Sequence, residues 1–353
     1  MVHFVLISVI ILSISKYKNT RLTGLAFFVL TLFATLRYRF GNDYNSYMRA
    51  HEDILQGEVV FEEEWSYVFL NRIIPNHYIL IAVTSLFFIY VIYKLITKHL
   101  DEGVQGLALL IFIINPYLFL MNLSAIRQCI AMCIFILATK LLQNKKSMTY
   151  IVYIALILLA STFHISALCL LPICFFIDDK DMNKVQVFLI ASAMILLLLE
   201  GGVVTHLVNT GISFLDNSEY MYYYSQGLQN SLRATLLMGV YFIYVAMNLA
   251  YLKGYKLVCG KLYLIGLFVS MLAYYFSMIT RIQMYFEIFS IVTIPAIIEY
   301  HLNAVEGKWK KIVNLYLFPA VLLIIYVARY YSFFANPMWE RFGTYHTIFE
   351  VLF

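Results

Sequence analysis

The chain has 353 residues, of which 62% are hydrophobic and only 13% are charged, and its net charge is +5. Soluble globular domains carry about 25% charged residues, so this apolar excess is more than one water-soluble core can bury. The composition excludes an ordinary soluble protein and predicts a polytopic membrane protein.

Apolar windows recur from the N-terminus to the end of the chain, and a spanning helix needs about 20 such residues. The first window follows no basic region and precedes no small-residue cleavage site, which favours a retained helix over a signal peptide. The windows predict an all-α fold, a polytopic transmembrane helical bundle of about 12 spans (10–12, because two windows are short) in one domain, residues 1–353. The predicted spans are residues 2–15, 22–36, 78–97, 104–121, 125–142, 148–163, 165–177, 185–200, 233–252, 262–279, 282–300 and 312–330.

Lysines mark one side of the predicted bundle. With twelve spans, all of them fall in or beside loops on the same side, which the positive-inside rule makes cytoplasmic. Both termini are then predicted to lie outside. The lysines are Lys16, Lys18, Lys94, Lys98, Lys140, Lys145, Lys146, Lys180, Lys184, Lys253, Lys256, Lys261, Lys308, Lys310 and Lys311.

Arginines follow the opposite pattern, and all except Arg21 fall on or near the predicted outer side. The planar guanidinium fork binds carboxylate or phosphate through two hydrogen bonds, whereas lysine is a hydrated point charge. Salt bridges with loop acids would explain any single arginine, but for the whole set a site for an anionic substrate is favoured. The outer arginines are Arg37, Arg39, Arg49, Arg72, Arg127, Arg233, Arg281, Arg329 and Arg341.

The predicted spans are connected on the outer side by two sizeable segments, about residues 37–77 and 201–232. An outer tail, about 331–353, follows the last span. In the first, the apolar residues Trp65, Val68, Phe69 and Ile73 recur at near-helical spacing, which predicts short amphipathic helices on the membrane surface or capping the bundle. The tyrosine cluster at 220–224 in the second either belongs to an interfacial belt or lines a sugar-binding cleft.

Nothing in the sequence indicates a cofactor or a metal site. The signatures of phosphate-binding loops, zinc proteases and serine hydrolases are absent, and no cluster of metal ligands is visible. The cysteines are odd in number and lie in or at the ends of apolar windows, so packing is favoured over disulfides. They are Cys129, Cys133, Cys169, Cys174 and Cys259.

Polar residues stand at the outer ends of four spans, where a buried charge is costly and usually signals function or pairing. The candidates are Arg37, Arg39 and Asp43 in RYRFGNDYNSY, Arg127 and Gln128 in NLSAIRQ, His164 in STFHIS, and Arg281 and Glu287 in MITRIQMYFE. Each candidate also has a purely structural explanation. An arginine can snorkel into headgroups, a lone histidine can be a satisfied interfacial residue, and Glu287 can pair with Arg281.

This set fits one definable chemistry. Displacing a lipid-linked pyrophosphate from a sugar needs cations that hold the leaving anion and a base that activates the acceptor hydroxyl. The arginines would supply the cations in place of a divalent metal ion. His164, Asp43 or Glu287 could supply the base.

Five stretches also carry a family resemblance. They are LRYRFGNDYNSY at 36–47, EEEWSYVFLNRII at 62–74, SAIRQCIAMCIFILA at 124–138, ASTFHISAL at 160–168 and TRIQMYFEIFSIVTIP at 280–295. In this order the chain resembles the EpsG family of polysaccharide-synthesis membrane proteins, relatives of the Wzy-type polymerases. The family's motif positions fall on Arg37, Gly41, Asp43, Tyr44, Tyr47, Glu64, Arg127, Gln128, His164, Arg281 and Tyr285, and Arg39 lies outside the pattern.

The resemblance implies a glycosyltransferase that joins undecaprenyl-pyrophosphate-linked oligosaccharide repeat units at the outer face of the bacterial cytoplasmic membrane. O-antigen, capsule or exopolysaccharide would be the product. The implied partners are those lipid-linked oligosaccharides, the bilayer, and a flippase and chain-length regulator of the same pathway, without nucleic acid. The predicted catalytic residues are His164, Arg127, Arg281 and Asp43, and the predicted substrate-binding residues are Arg37, Tyr44, Tyr47, Glu64, Gln128, Tyr285 and Glu287.

Two other functions remain open. A flippase for lipid-linked oligosaccharides would also bind a pyrophosphate with arginines, but it should carry charge along a path across the membrane, and mid-span charges are few here. A membrane acyltransferase acting on polysaccharide could use His164 as its base, although such enzymes usually face a cytoplasmic acyl donor. A structural partner in a secretion complex would not need arginines at span ends.

Overall fold

A computed structural model describes residues 2–14, 20–143, 146–181, 232–272, 279–305 and 307–352. The chain forms two compact units, one of Met1–Asp178 with Ile294–Phe353 and one of Asp179–Thr293. The predicted span 185–200 and the tyrosine cluster at 220–224 lie outside the described residues. The described residues are mostly helical, which confirms the predicted helical class.

The first unit begins with α1 (Val2–Ile14) and α2 (Thr20–Thr35). Residues 37–77, which the sequence predicts to lie outside, follow as a short strand and two helices. The remaining helices of residues 77–178 are mostly apolar and range from four to 23 residues in length. In order, the elements are β1 (Arg37–Tyr38), α3 (Tyr44–Gln56), α4 (Trp65–Ile73), α5 (His77–His99), α6 (Glu102–Ile114), α7 (Leu120–Ser124), α8 (Ile126–Ala138), α9 (Ser147–Ser161) and α10 (Ile173–Phe176), with 3₁₀ turns at Thr139–Leu142 and Ile165–Leu170.

The described part of the second unit contains α11 (Leu232–Asn248), α12 (Gly254–Leu272) and α13 (Ile279–Glu287). Gly266 lets α12 approach α13 closely, because a Cβ atom there would lie 2.8 Å from Cβ of Phe286.

The chain from residue 294 onward belongs to the first unit again. The elements after α13 are α14 (Ser290–Asn303), α15 (Lys308–Ile312), a π-helical turn (Val313–Leu317), α16 (Phe318–Ala335), a 3₁₀ turn (Pro337–Phe342), β2 (His346–Thr347) and α17 (Phe349–Leu352).

Three described helices are long and apolar enough to cross a bilayer: His77–His99, Gly254–Leu272 and Lys308–Ala335. Helices Ile279–Glu287 and Ser290–Asn303 are long and apolar enough to cross a bilayer only if they are counted as one span, and the chain bends by 43° between them. Shorter apolar helices occur at Leu22–Thr35, Glu102–Ile114, Ser147–Ser161, Ile165–Phe176 and Leu237–Tyr251. The described residues thus contain three or four full-length candidate spans, and the predicted number of about twelve is not confirmed.

Local breaks explain part of this difference. The predicted span 104–121 is divided because α6 ends at Ile114 and Pro116 follows two residues later. The residue that precedes a proline, here Asn115, is disfavoured in the helical conformation. The predicted span 165–177 is a 3₁₀ turn followed by the four-residue α10. Hydropathy windows register both stretches as apolar but do not register where the backbone leaves the helix.

The C-terminal tail packs on the first motif. Strand β2 pairs antiparallel with β1, with Arg37 opposite Thr347 and Tyr38 opposite His346. The guanidinium Nη1 of Arg341 donates to the carbonyl of Asn42 at 3.0 Å. The last residues of the chain are therefore part of the structure that holds residues 37–43.

Candidate functional site

Arg37, the first predicted substrate-binding residue, is enclosed by protein. Its exposed fraction is 1%. Nη1 donates to the carbonyl of Ala34 and to Oγ of Ser85, and Nη2 donates to the carbonyl of Leu123 at 3.0 Å. The guanidinium thus ties the end of α2 to α5 and α7, and its charge is not presented at a surface in this arrangement.

Gly41 and Asp43 form a tight junction with Ser124 at the end of α7. Gly41 has a φ of +95°, and a Cβ atom there would lie 3.2 Å from Cβ of Ser124, so glycine meets both the conformation and the close approach. The backbone N–H of Asp43 donates to Oγ of Ser124 at 3.1 Å, and that hydroxyl donates to Oδ2 of Asp43 at 3.2 Å. The first motif is thereby held directly beside the segment that leads to Arg127.

Tyr44 and Tyr47 lie on the buried face of α3, together with Ala50, His51 and Ile54. This spacing is that of one helical face. Burial raises the pKa of Tyr44 to about 12 and also raises the pKa of Tyr47. Both phenols therefore remain protonated at neutral pH and can donate hydrogen bonds, but neither is suited to act as a base.

Glu64 joins Arg127 to His164. Oε1 of Glu64 lies 2.7 Å from Nδ1 of His164, and Oε2 forms an ion pair with Nη1 of Arg127. The side chains are mostly buried, with exposed fractions of 7% for Glu64, 11% for His164 and 22% for Arg127. One carboxylate thus binds a permanent cation through one oxygen and an imidazole through the other.

The surrounding backbone fixes these three side chains. Glu64 is the N-cap residue of α4 and makes no side-chain capping hydrogen bond, so its carboxylate is free to bind other partners. The N–H of Ser66 donates to the carbonyl of Thr162 at 3.2 Å, and the Thr162 hydroxyl donates to Oγ of Ser66 at 2.7 Å. This double link joins the start of α4 to the turn that leads to His164.

Aromatic rings surround the guanidinium of Arg127. The centroid of the Phe61 ring lies 3.7 Å from Cζ of Arg127, and that of Tyr47 lies 5.7 Å away. Nε of Arg127 also donates to the Tyr47 hydroxyl at 3.3 Å. Among the described residues Nη2 has no hydrogen-bond partner, so part of the fork remains available to an anion.

Phe61 belongs to no sequence pattern that would identify it as a site residue. It has a φ of +57°, which is unusual for a residue with a bulky side chain. The N–H of Glu64 donates to the carbonyl of Phe61 at 2.9 Å, so a tight turn directs the Phe61 ring and the Glu64 carboxylate to the same guanidinium. Strained backbone of this kind is often kept at functional sites.

The proton on His164 can be assigned from its partner. An ionised carboxylate only accepts hydrogen bonds, so Nδ1 of His164 carries the proton and donates to Glu64. In the neutral imidazole Nε2 then carries a lone pair, and no described residue is hydrogen-bonded to it. A carboxylate that holds the imidazole in this tautomer is the relationship found in catalytic triads.

The remaining predicted residues are described within the unit to which each belongs. Gln128 is buried next to Arg127 on α8. Arg281, Tyr285 and Glu287 lie on α13 of the second unit, where Arg281 is exposed and the other two are buried. Nε2 of Gln283 donates to Oε2 of Glu287 at 2.7 Å.

Comparison with known proteins gives one result. A family model described as the EpsG family matches residues 20–351, nearly the whole chain. Searches of curated proteins and of solved structures returned no match. The match includes all five stretches that carried the resemblance, and it agrees with the apolar helices of the fold. The protein is a membrane protein that belongs to the EpsG family.

Proposed function

We propose that this protein is a Wzy-like polysaccharide polymerase. It would transfer a growing glycan from undecaprenyl pyrophosphate to a hydroxyl of the next lipid-linked repeat unit, at the outer face of the bacterial cytoplasmic membrane. The observation that carries the proposal is the Glu64 carboxylate shared by Arg127 and His164. That arrangement places a group able to bind pyrophosphate beside a group able to accept a proton, in a chain of the EpsG family.

In the proposed step one bond to the anomeric carbon of the donor sugar is formed and another is broken. The acceptor hydroxyl loses its proton to Nε2 of His164, and its oxygen forms a bond to the anomeric carbon of the donor sugar. The bond from that carbon to the pyrophosphate oxygen breaks, and the lipid pyrophosphate leaves with the electron pair. Arg127 stabilises the negative charge that develops on the leaving oxygen, and Glu64 stabilises the imidazolium formed on His164.

Other residues have supporting roles in this proposal. Arg37 and Asp43 hold α7 and the first motif in place through Ser85, Leu123 and Ser124, which positions the start of α8. Sugar hydroxyls would be bound by the tyrosines of α3 and by Gln128. Arg281, Tyr285 and Glu287 stay predicted substrate contacts on the strength of the sequence motif.

The Phe61 ring should be needed to hold Arg127. Phe61→Ala is expected to lower the polymerisation rate roughly tenfold, because a desolvated cation–π contact contributes about 1–2 kcal/mol. Phe61→Trp should retain most of the activity. Phe61→Gly distinguishes the effect of losing the ring from the effect of backbone strain, because glycine removes the ring but adopts a positive φ without strain. Its polymerisation rate should be as low as that of Phe61→Ala, but the protein should be more resistant to heat. Full activity of Phe61→Ala at normal protein levels would rule out this role.

The surface glycan of cells that lack the gene distinguishes a polymerase from a flippase and from an acyltransferase. A missing polymerase should leave single repeat units at the cell surface, because export still operates, while long chains disappear. Loss of a flippase would instead retain even single units inside the cell, and loss of an acyltransferase would leave long chains that lack acyl groups. The measurement is gel analysis of surface glycan with staining for acyl content, and only the first result supports the proposal.

A further inference from the structure

Helix α4, which begins directly after Glu64, has its polar side inward. The buried residues are Ser66, Tyr67 and Asn71, and Asn71 binds Nδ1 of His51 and the carbonyl of Tyr67. The outward residues include Trp65, Phe69 and Ile73, with exposed fractions of 59%, 59% and 56%. A helix in water shows the reverse arrangement.

The outward residues form one continuous surface, which we call the α4 stripe and define as Trp65, Phe69 and Ile73. They are spaced i, i+4 and i+8, so they lie on one face and extend over about 12 Å. Arg72 is exposed beside the last turn, and its long stem allows the guanidinium to reach headgroup level while the stripe faces hydrocarbon. The stripe is therefore suited to contact with lipid chains.

Its position gives it a specific neighbour. Trp65 is joined by one peptide bond to Glu64, whose carboxylate binds Arg127. A pyrophosphate bound by Arg127 has a sugar on one side and a polyprenyl chain on the other. The chain must leave the polar cluster over an apolar surface, and the stripe begins at that cluster.

We infer that the α4 stripe binds the first part of the polyprenyl chain of the lipid-linked substrate. The inference rests on the proposed function, since it requires pyrophosphate to bind at Arg127. Hydrocarbon surrounds the chain in the bilayer and on the stripe alike, so the stripe contributes contact and orientation and not hydrophobic transfer. Its effect is to point the chain away from the acceptor sugar.

Photocrosslinking can test this placement. A benzoylphenylalanine is introduced at Phe69 in one preparation and at Phe28 in another. Phe28 is a matched control, because it is also a phenylalanine with an exposed fraction of 59%, on α2. Each purified protein is placed in lipid nanodiscs with radiolabelled undecaprenyl pyrophosphate and irradiated. Binding of the same lipid to unmodified protein and to Arg127→Ala is measured in parallel.

The inference predicts at least about fivefold more labelled adduct at position 69 than at position 28, a ratio that a few favourable van der Waals contacts can produce. The excess should disappear with unlabelled competitor. Saturable, Arg127-dependent binding with equal adduct at both positions would overturn the inference and leave the proposed function intact. Absence of saturable binding would overturn both. Phe69→Ser should weaken binding of the long-chain lipid and leave binding of inorganic pyrophosphate unchanged.

Discussion

His164→Ala is expected to lower polymerisation by about 10²- to 10⁴-fold, the usual contribution of a positioned general base. In the structure Nδ1 of His164 is held by Glu64 at 2.7 Å, which leaves Nε2 to accept the proton of the acceptor hydroxyl. The loss should therefore appear in the rate of glycosyl transfer, while lipid pyrophosphate still binds. The measurement is the initial rate of chain growth with purified protein and lipid-linked repeat units.

Two further variants make this prediction specific. His346→Ala changes a half-exposed histidine that pairs with Glu350 in the tail and should retain activity. Glu64→Ala should lose activity as His164→Ala does. The double variant should polymerise only slightly more slowly than the slower of the two single variants, because the effects of residues that act as one unit are not additive. Near-normal chain growth by His164→Ala would exclude it as the base.

Arg127→Lys is expected to lower polymerisation by about 10²- to 10³-fold, although it retains the charge. Lysine lacks the planar fork, so it cannot bind Glu64 and a pyrophosphate oxygen through separate N–H groups while packing under Phe61. In contrast to His164→Ala, this variant should also bind lipid pyrophosphate more weakly. Binding and rate measured on the same preparation separate the two outcomes.

Arg49→Lys provides the matched control, because Arg49 is exposed on α3. It should retain both binding and rate. If Arg127→Lys kept normal affinity for lipid pyrophosphate and a normal rate, the guanidinium would have no role beyond its charge, and the proposed pyrophosphate site would be wrong.

Several site residues could be found from the sequence, but not their arrangement. The motifs identified Glu64, Arg127 and His164, which the structure brings together although 100 residues separate Glu64 from His164. Sequence alone assigned Glu64 to the substrate, because a single carboxylate does not reveal its partners. The structure shows that both of its oxygens bind protein groups.

Arg37 and Phe61 show two different limits of predicting site residues from sequence. Arg37 was selected for its charge, yet the two terminal nitrogens of its guanidinium donate to two carbonyls and a hydroxyl that only the folded chain brings together. Phe61 carries no charge and belongs to no motif, and its contact with Arg127 depends on a positive φ that the sequence does not indicate. Residue type predicts which chemistry is available, whereas tertiary contacts decide which groups face a ligand.

Purified protein in nanodiscs, with a single lipid-linked repeat unit as donor and acceptor, allows the proposed reaction to be measured directly. A polymerase should produce a ladder of longer lipid-linked glycans and release one lipid pyrophosphate per bond formed, and His164→Ala should lose both products. Release of pyrophosphate without longer glycans, or no reaction with any lipid-linked repeat unit from the same cells, would contradict the proposed function.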